Sequence, residues 1–519
     1  MSPVLDVNRV DLDHAINHKD HQTDFSEPEC LFVRRGQIFT ISLHLNSGQY
    51  NEGKDTLTIT AEIGAQPSEN DGTRAVFRVS DTIDEASWGA KASSRTAGVL
   101  TLSISSAPSA PIGHYTLFLD QEGQRQVKLG QFVLLYNPWC PRDSVYLDDE
   151  DKLEEYVLSQ DGLIYVINLA LPWIFGQFQQ GILDICLKLL GIDPAGVQGC
   201  GATGNPVYVT RLLSGLIHKH VLWGNWNDTS DGVNPEEWQS SVEILQRWDM
   251  EKSLVRYGQC WVFAAVNCTV SRALGIPCRV IINFDSAHDT DGNLTIDKYV
   301  DKYGRPSKET RDSTWNFHCW IESWMTRPDL RPGYGGWQAS DPTYLGHAEN
   351  IGPVPTKAIK DRQLGLQYDA RFVFAEVNAK VIVHTKQMDG STKLVKGYDP
   401  VGSKISTKSV CKNEEENITL QYKSEHIVGR KLCAEITLQN PLPDTLTGCC
   451  FTVEGPDLTG GKCIPERLQC PVPPGKDAKT KVLLTPTQPG RKMLSVKFDS
   501  DKLRHVNSFI DVIIGKKIN

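Results

Sequence analysis

The sequence predicts a multidomain α+β protein, with β-rich domains on either side of a mixed α/β region. Its 519 residues correspond to about three to four domains at roughly 150 residues each. Short apolar runs separated by turn residues dominate the two flanking regions, and helical stretches are concentrated in the middle. The chain is 40% hydrophobic and 23% charged, which is typical of soluble globular proteins and argues against disorder.

Residues 1–137 are predicted to form an immunoglobulin-like β-sandwich. Gly, Pro, Asn, Asp and Ser separate its apolar runs, and short strands at such regular spacing are typical of sandwiches. The clearest of these runs read LFVRR, IFTISLHL, TLTITAEI, HYTLFLD and KLGQFVLLY.

Residues 138–426 change in character and are predicted to form an α/β core. Helical stretches are interspersed with β runs, and most of the tryptophans occur here. The predicted helices cover residues 179–190, 238–248 and 260–274, and the predicted strands cover 279–284 and 315–324. Residues 427–519 return to short strand runs and predict one C-terminal β-barrel or sandwich.

Charge and cysteine usage exclude several classes of protein. The net charge of −9 argues against a nucleic-acid partner, which usually selects a basic face. The polar stretch 1–20 lacks the apolar segment of a secretory signal, and the most apolar stretch, 162–175, is too short to span a membrane. Without such a signal, the 14 irregularly spaced cysteines are expected to be free thiols in the cytoplasm.

The most informative segment is YGQCWVFAAV, in which Gly258 precedes a nearly all-apolar run that starts at Cys260. A glycine turn followed by this run predicts a cysteine at the N-terminus of a buried helix. The helix dipole and free backbone N–H groups favour the thiolate there, and the thiolate is the nucleophilic form. The alternative from this segment alone is that Cys260 is one structural cysteine among 14.

A histidine and an aspartate follow the cysteine along the chain. His318 lies on a predicted strand within TWNFHCWIESWM, and Asp341 follows at a strand end within ASDPT. The order Cys, His, Asp is that of a papain-like triad, in which the histidine takes the thiol proton and the carboxylate orients the imidazole. Each residue alone has a structural explanation, as a strand histidine or a turn aspartate.

These blocks carry a family resemblance. YGQCWVFAAV, WNFHCWIESWMTRPDL and GWQASDPT resemble the three active-site blocks of animal transglutaminases, and SSVEILQRW, LGIPCRVIINFDSAHD and FVFAEVNA extend the match. The resemblance continues through the sandwich, in VRRGQIFTISLHL, and into the last domain, in LQNPLPDTLTGCCFTVEGPDL. It therefore covers nearly the whole chain.

The resemblance implies a calcium-dependent protein-glutamine gamma-glutamyltransferase that joins protein glutamines to lysines or polyamines. Cys260, His318 and Asp341 take the catalytic positions. The resemblance implies that the indole N–H of Trp226, in GNW, stabilises the oxyanion formed during the reaction. It implies that Trp315, in WNFH, forms the second wall of the tunnel that admits the acceptor amine. It also implies a cytoplasmic protein that can reach the extracellular matrix by unconventional export.

The expected cofactor is Ca²⁺. Asp289, Asp291 and Asn293 offer oxygen ligands at alternate positions, although a plain polar loop is the alternative. The resemblance implies that Asp312 completes this site. It assigns Asn378 and Glu425 to a second site, where Lys380 replaces the usual aspartate.

One family domain has no counterpart in this sequence. The core passes from Glu425 almost directly into the second of the family's two C-terminal barrels. The resemblance implies that the first barrel supplies most of a guanine-nucleotide pocket, so weak or absent nucleotide binding is expected. Two other functions remain open: a cysteine hydrolase of related fold, and a transglutaminase-like scaffold with weak or no catalysis.

Overall fold

The computed structural model describes most of the chain in segments. They are residues 5–24, 29–48, 50–51, 55–96, 98–121, 126–166, 169–192, 199–343, 351–386, 391–396, 401, 403–406, 418–423, 427–440, 445–455, 457–460, 462–501 and 506–515. The chain divides into two compact units. The first contains 1–161, 173–280 and 320–373, and the second contains 162–172, 281–319 and 374–519.

Two sheets form the N-terminal sandwich. The elements in chain order are β1 (Asp6–Asp11), α1 (His14–Asp20), β2 (Leu31–Arg34), β3 (Ile38–Ser47), β4 (Leu57–Ile63), β5 (Arg74–Arg78), β6 (Gly89–Thr96), β7 (Val99–Ser105), β8 (Gly113–Gln121) and β9 (Val127–Leu135). The sheet orders are β1-β3-β7-β6 and β2-β9-β8-β4-β5. Alternate residues of the two sheets share one apolar core, including Ile41, Ile59 and Leu117, which is the packing that the strand periodicity predicts.

The mixed region follows with helices and strands interspersed. Its elements are α2 (Glu150–Leu153), β10 (Asp161–Val166), β11 (Leu169–Ile174), α3 (Ile182–Leu190), α4 (Pro206–Leu216), β12 (Leu222–Gly224), α5 (Ser241–Glu251), β13 (Val255–Gly258), α6 (Cys260–Ala273), β14 (Cys278–His288), β15 (Thr295–Val300), β16 (Ser313–Met325), β17 (Gly336–Asp341), β18 (Ile351–Pro355), α7 (Thr356–Lys360), α8 (Ala370–Asn378), β19 (Lys380–Lys386), β20 (Thr392–Lys396) and β21 (Ser403–Ser406). Short π-helical turns cover Glu154–Leu158 and Ile217–Val221, and short 3₁₀ turns cover Cys200–Gly204 and Pro235–Glu237.

A five-stranded sheet with the order β18-β17-β16-β14-β21 carries several candidate site residues. Within it β16 pairs antiparallel with β17, so that Ile321 lies opposite Ser340. The chain crosses from one compact unit to the other within β14 and within β16. Helix α6 is buried along its whole length, as its nearly all-apolar sequence predicts.

A second sandwich follows in the C-terminal part. Its strands are β22 (Ile418–Lys423), β23 (Leu432–Gln439), β24 (Cys450–Glu454), β25 (Ile464–Arg467), β26 (Asp477–Leu484), β27 (Gly490–Asp499) and β28 (Val506–Ile514). They form sheets with the orders β22-β23-β26 and β25-β24-β27-β28. The core includes Ile436, Phe451 and Val496. The predicted fold class is therefore confirmed, while the boundaries at 137/138 and 426/427 stay predictions.

Local capping decides where the predicted helices start and end. The second predicted helix begins at Ser241 instead of Trp238, because the Ser240 hydroxyl accepts a hydrogen bond from the Val242 backbone N–H and caps the helix. The apolar stretch 162–175 contributes to β10 and β11, and Ile174 within it is exposed. Among the described residues, no helix is long and apolar enough to span a membrane.

Candidate active site

Cys260 is the first residue of α6 and is only 4% exposed. The preceding Gln259 is extended, and its carbonyl accepts the first helical hydrogen bonds, from the N–H groups of Val262 and Phe263. A Cβ on Gly258 would lie 2.3 Å from Leu222 Cδ2, so this position has room only for glycine. The predicted helix start is therefore present and places a thiol at the helix N-terminus, whereas Gly258 ends strand β13 instead of forming a tight turn.

The loop that carries Trp226 lies beside this helix start. Strands β12 and β13 pair in parallel, with Gly224 opposite Gly258. The Asn225 N–H donates to the Gly258 carbonyl at 3.1 Å, and the Gln259 side-chain amide donates to the Asn225 carbonyl at 3.1 Å. These bonds hold the Gly-Asn-Trp turn against the strand that leads into Cys260.

Trp226 borders an open cavity of about 350 Å³. The cavity is lined by His218, Lys219, Trp223, Gly224, Trp226, Leu254 and Phe263. The Trp226 side chain is 49% exposed, and Trp223 is exposed to a similar extent. Exposed aromatic walls of this kind are typical of sites that bind a substrate chain.

His318 lies on β16 and is 1% exposed. Its ring and that of Trp315 form a T-shaped pair with centroids 5.2 Å apart, and Trp315 stacks on His288 at 4.9 Å. Its Nε2 lies 3.6 Å from Oε1 of Glu376, whose side chain is also buried. The imidazole is therefore packed against an aromatic ring and faces a carboxylate.

Sequence reasoning missed Glu376. It lies on α8 within the run FVFAEVNA, and its backbone carbonyl accepts a hydrogen bond of 2.9 Å from the Asn283 side-chain amide. A signal was present, because an acidic residue within the apolar run FVFAEV needs a polar partner once that run is buried. The pattern does not name the partner.

Asp341 is the last residue of β17 and is buried. One carboxylate oxygen accepts a hydrogen bond of 2.8 Å from the Thr343 N–H, which fixes the side chain over the turn that follows. The strand that carries His318 continues to Ile321, which lies opposite Ser340, the residue before Asp341. The predicted strand-end position is therefore correct.

An acidic cluster combines two residues of the loop after β14 with the residue that precedes β16. Carboxylate oxygens of Asp289, Asp291 and Asp312 all lie within 4.8 Å of one another. Asp289 accepts hydrogen bonds from the N–H groups of Gly292 and Leu294, at 2.8 and 2.7 Å. Partial desolvation raises the pKa of Asp291, the Asn293 backbone N–H opposes this shift, and the charges of Asp312 and Asp289 add to it. Three mutually repelling carboxylates with hard oxygen donors form a set that fits a divalent cation.

The remaining candidate ligands are less closely gathered. The Asn293 side-chain oxygen accepts a hydrogen bond from the Thr295 N–H at 2.7 Å, and its amide nitrogen donates to Asp297 at 2.9 Å. Asn378 is the exposed last residue of α8, and the exposed Lys380 begins the next strand. Glu425 lies outside the described residues.

The class of protein follows from this core. A thiol at the start of a buried helix, in a mixed α/β region that follows one β-sandwich and precedes another along the chain, is the setting of a cysteine-dependent enzyme. The particular family follows from comparison with known proteins. Residues 8–122 match the model of the transglutaminase family, residues 236–342 that of the transglutaminase-like superfamily, and residues 417–516 that of the transglutaminase C-terminal immunoglobulin-like domain. The chain belongs to the transglutaminase family.

Individual relatives agree with this assignment. The chain is 36% identical to protein-glutamine gamma-glutamyltransferase 2 of Bos taurus over 686 residues, covering 99% of this chain and 100% of that protein. It is 42% identical to protein-glutamine gamma-glutamyltransferase 5 of Mus musculus over 445 residues, covering 81% and 61%. The crystal structure of red sea bream transglutaminase superimposes with a TM-score of 0.68 at 30% identity, covering 98% of this chain and 100% of that one.

Proposed function

We propose that this protein is a calcium-dependent protein-glutamine gamma-glutamyltransferase that cross-links proteins. The observation that carries the proposal is Cys260, buried as the first residue of α6 within the stretch that matches the family's core model. The proposed reaction is the one for which the bovine and murine relatives are named. The proposed division of the chain is a sandwich at 1–137, a catalytic core at 138–426 and a C-terminal domain at 427–519.

The first half-reaction forms a thioester. The Cys260 sulfur attacks the carbonyl carbon of a glutamine side-chain amide, a bond forms between sulfur and carbon, and the carbon–nitrogen bond breaks. His318 takes the thiol proton and returns it to the leaving nitrogen, which departs as ammonia. Asp341 orients the imidazole and stabilises its charged form.

The second half-reaction transfers the acyl group to an amine. A lysine or polyamine nitrogen attacks the thioester, His318 accepts a proton from it, and the carbon–sulfur bond breaks to regenerate the thiol. The Trp226 indole N–H and the Cys260 backbone N–H are assigned to the oxyanion of each tetrahedral intermediate. Trp226 and Trp315 are assigned to the acceptor tunnel, where exclusion of water lets an amine compete with hydrolysis.

Ca²⁺ is the proposed cofactor. Asp289, Asp291 and Asp312, joined by Asn293, would hold it, and the mutual repulsion of the three carboxylates supports this assignment. A bound divalent cation would neutralise the loop between β14 and β15 and hold it in one conformation. Asn378 and Glu425 are proposed as ligands of a second calcium site, close in sequence to the positively charged side chain of Lys380.

The proposed partners are proteins that donate glutamine side chains, and proteins or polyamines that supply amines. No nucleic acid is expected as a partner, and a cytoplasmic location with unconventional export is proposed from the family. Guanine-nucleotide binding is proposed to be weak or absent. The bovine alignment extends over 686 residues, whereas this chain has 519, a difference larger than one immunoglobulin-like domain of roughly 100 residues.

The deciding experiment is incorporation of a fluorescent primary amine into casein, with calcium or with EDTA. We expect incorporation with calcium, loss in EDTA, and loss of about 10⁴-fold or more in Cys260→Ala, because the nucleophile is removed. Cys268→Ala, on the same helix, is the matched control. Release of ammonia or peptide cleavage without amine incorporation would support a hydrolase, and no reaction in folded protein at saturating calcium would support a scaffold.

A further inference from the structure

The Trp226 loop, defined as residues 225–233, joins β12 to the short helical turn at Pro235–Glu237. It carries the indole to which the proposed mechanism assigns the oxyanion, yet half of the Trp226 side chain is exposed. Burial alone therefore fixes this ring less firmly than that of a core residue. The position of the indole depends on how the loop is attached to its surroundings.

Both ends of the Trp226 loop are bonded through the main chain to β13, the strand that precedes the nucleophile. At the start of the loop, the Asn225 N–H donates to the Gly258 carbonyl at 3.1 Å. At its end, the Val233 N–H donates to the Arg256 carbonyl at 2.9 Å, and the Tyr257 N–H donates to the Val233 carbonyl at 3.2 Å. The loop is thus closed at both ends on one short strand.

Between these ends, the side chain of Asp231 connects the loop to the same strand. One carboxylate oxygen of Asp231 accepts a hydrogen bond of 2.6 Å from the Tyr257 hydroxyl, and the other accepts one of 3.0 Å from Arg256 Nη1. The Arg256 guanidinium in turn lies over the Trp223 ring, 5.4 Å from its centroid. The backbone also comes close here, since a Cβ on Gly232 would lie 2.8 Å from the Arg256 Cβ. Asp231 therefore uses both oxygens to hold the loop against two consecutive residues of β13.

The ring of Trp226 packs beside the helix that starts at the nucleophile. A Cβ on Gly224 would lie 2.9 Å from Trp226 Cζ3 and 3.3 Å from Phe263 Cε2, so both rings meet at this glycine. Both side chains also line the same cavity. Phe263 lies about one helical turn after Cys260 on α6. A shift of the loop would therefore move the indole relative to the start of this helix.

We infer that Asp231 is a positioning residue for Trp226. By bonding two residues of β13, it holds the Trp226 loop in the place that the reaction requires. This inference rests on the proposed function, in which the Trp226 indole N–H stabilises the oxyanion and the ring helps to exclude water. A donor stabilises an oxyanion only at hydrogen-bond distance, so a small displacement of the loop lowers turnover.

The position of Trp226 also affects the fate of the thioester. An amine and water compete for this intermediate, and an aromatic wall that excludes water favours the amine. Ammonia is released when the thioester forms, whichever nucleophile then attacks it. A displaced loop admits more water, so the amount of amine incorporated per ammonia released falls. A residue that only stabilised the fold would change the amount of active protein and leave this ratio unchanged.

The test compares Asp231→Ala, which removes both bonds, with Asp231→Asn, which keeps one acceptor oxygen. The control is Glu236→Ala, because Glu236 is an exposed carboxylate just after the loop. We expect Asp231→Ala to lower kcat for amine incorporation about tenfold, to keep KM for casein within about twofold, and to lower the ratio of amine to ammonia. Asp231→Asn should lie between Asp231→Ala and the wild type, and Glu236→Ala should match the wild type. Melting temperatures show which variants are folded, and Asp231→Asn decides if Asp231→Ala is not.

A second readout does not require turnover. Chymotrypsin cleaves after aromatic residues, and the exposed Trp226 offers it a bond inside the loop. We expect cleavage after Trp226, identified by fragment mass, to be faster in Asp231→Ala and unchanged in Glu236→Ala, because proteolysis follows local opening. Unchanged kcat and ratio in folded Asp231→Ala, or unchanged cleavage, would overturn the inference. An inactive wild type would refute the proposed function, while the cleavage rates would still decide whether Asp231 holds the loop.

Discussion

The Nε2 of His318 lies 3.6 Å from Oε1 of Glu376, and the two side chains are 1% and 4% exposed. The imidazole proposed as the catalytic base therefore faces a buried carboxylate other than the one sequence order assigns to it. A buried carboxylate beside an imidazole stabilises the protonated ring, which is the form that gives its proton to the leaving amine.

Glu376→Gln tests this relationship, because the amide keeps the shape of the side chain and removes its charge. We expect kcat for amine incorporation to fall about tenfold, with a melting temperature close to that of the wild type. Glu376→Ala should lower both quantities, because it also leaves a cavity. Glu309→Gln removes an exposed carboxylate in the same compact unit and is the control. Unchanged kcat in Glu376→Gln would show that the carboxylate has only a packing role.

The acidic cluster predicts opposite effects of one substitution with and without metal. In EDTA, Asp291→Asn should raise the melting temperature, because it relieves repulsion among Asp289, Asp291 and Asp312. With calcium it should lower the melting temperature relative to wild type, because a ligand is lost. Differential scanning fluorimetry in EDTA and in calcium measures this change of sign in the shift of the melting temperature. A shift of the same sign in both would contradict a cation site.

The same cluster predicts a dependence of stability on pH. The pKa of Asp291 is raised in the folded protein, so folding disfavours its ionised form. In EDTA the wild type should therefore gain stability as the pH falls through the pKa of Asp291, and should lose that gain as the pH rises. Asp291→Asn should lack this contribution. The comparison plots the melting temperature of each protein in EDTA against pH across the acidic range. The same dependence on pH in wild type and Asp291→Asn would contradict a raised pKa of Asp291.

A buried ion pair attaches the N-terminal sandwich to the segment that follows it. The Arg35 guanidinium contacts Asp143 in a bidentate pair with two bonds of 2.6 Å, and both side chains are almost fully buried. Burial opposes the charge of Arg35, but Asp143 outweighs it and raises the pKa of Arg35.

Removing one partner should leave an uncompensated buried charge. We expect Asp143→Ala to destabilise the protein by about 3–5 kcal/mol, measured from the first transition in urea unfolding. Glu85→Ala, which breaks a surface pair with Arg142, should cost less than about 1 kcal/mol. Similar losses in the two variants would refute the special role of the buried pair.

Guanine nucleotides test the consequence of the shorter chain. We expect GTP up to millimolar concentration to leave calcium-dependent amine incorporation unchanged, provided that free calcium is held constant with a chelator buffer. Calcium must be buffered because nucleotides bind divalent cations themselves. Inhibition at micromolar GTP would show that a nucleotide site exists without the barrel to which the family resemblance assigns it.

The sequence predicted the local features well. Gly258 followed by an apolar run predicted the buried helix that starts at Cys260, and strand periodicity predicted the two sandwiches. These features depend on residues close together in the chain, whose spacing determines the turn and the buried face. Helix α5 starts three residues later than predicted, because the hydroxyl of Ser240 caps it.

By itself, the sequence determined the fold class, the family and the candidate nucleophile, because each follows from local patterns. Tertiary structure alone decided which side chains meet. Glu376 faces His318 and Arg35 pairs with Asp143, although the two partners are far apart in the sequence in both cases. The physical reason is burial: a polar group removed from water needs a partner, and only the packing of distant elements determines which partner it finds.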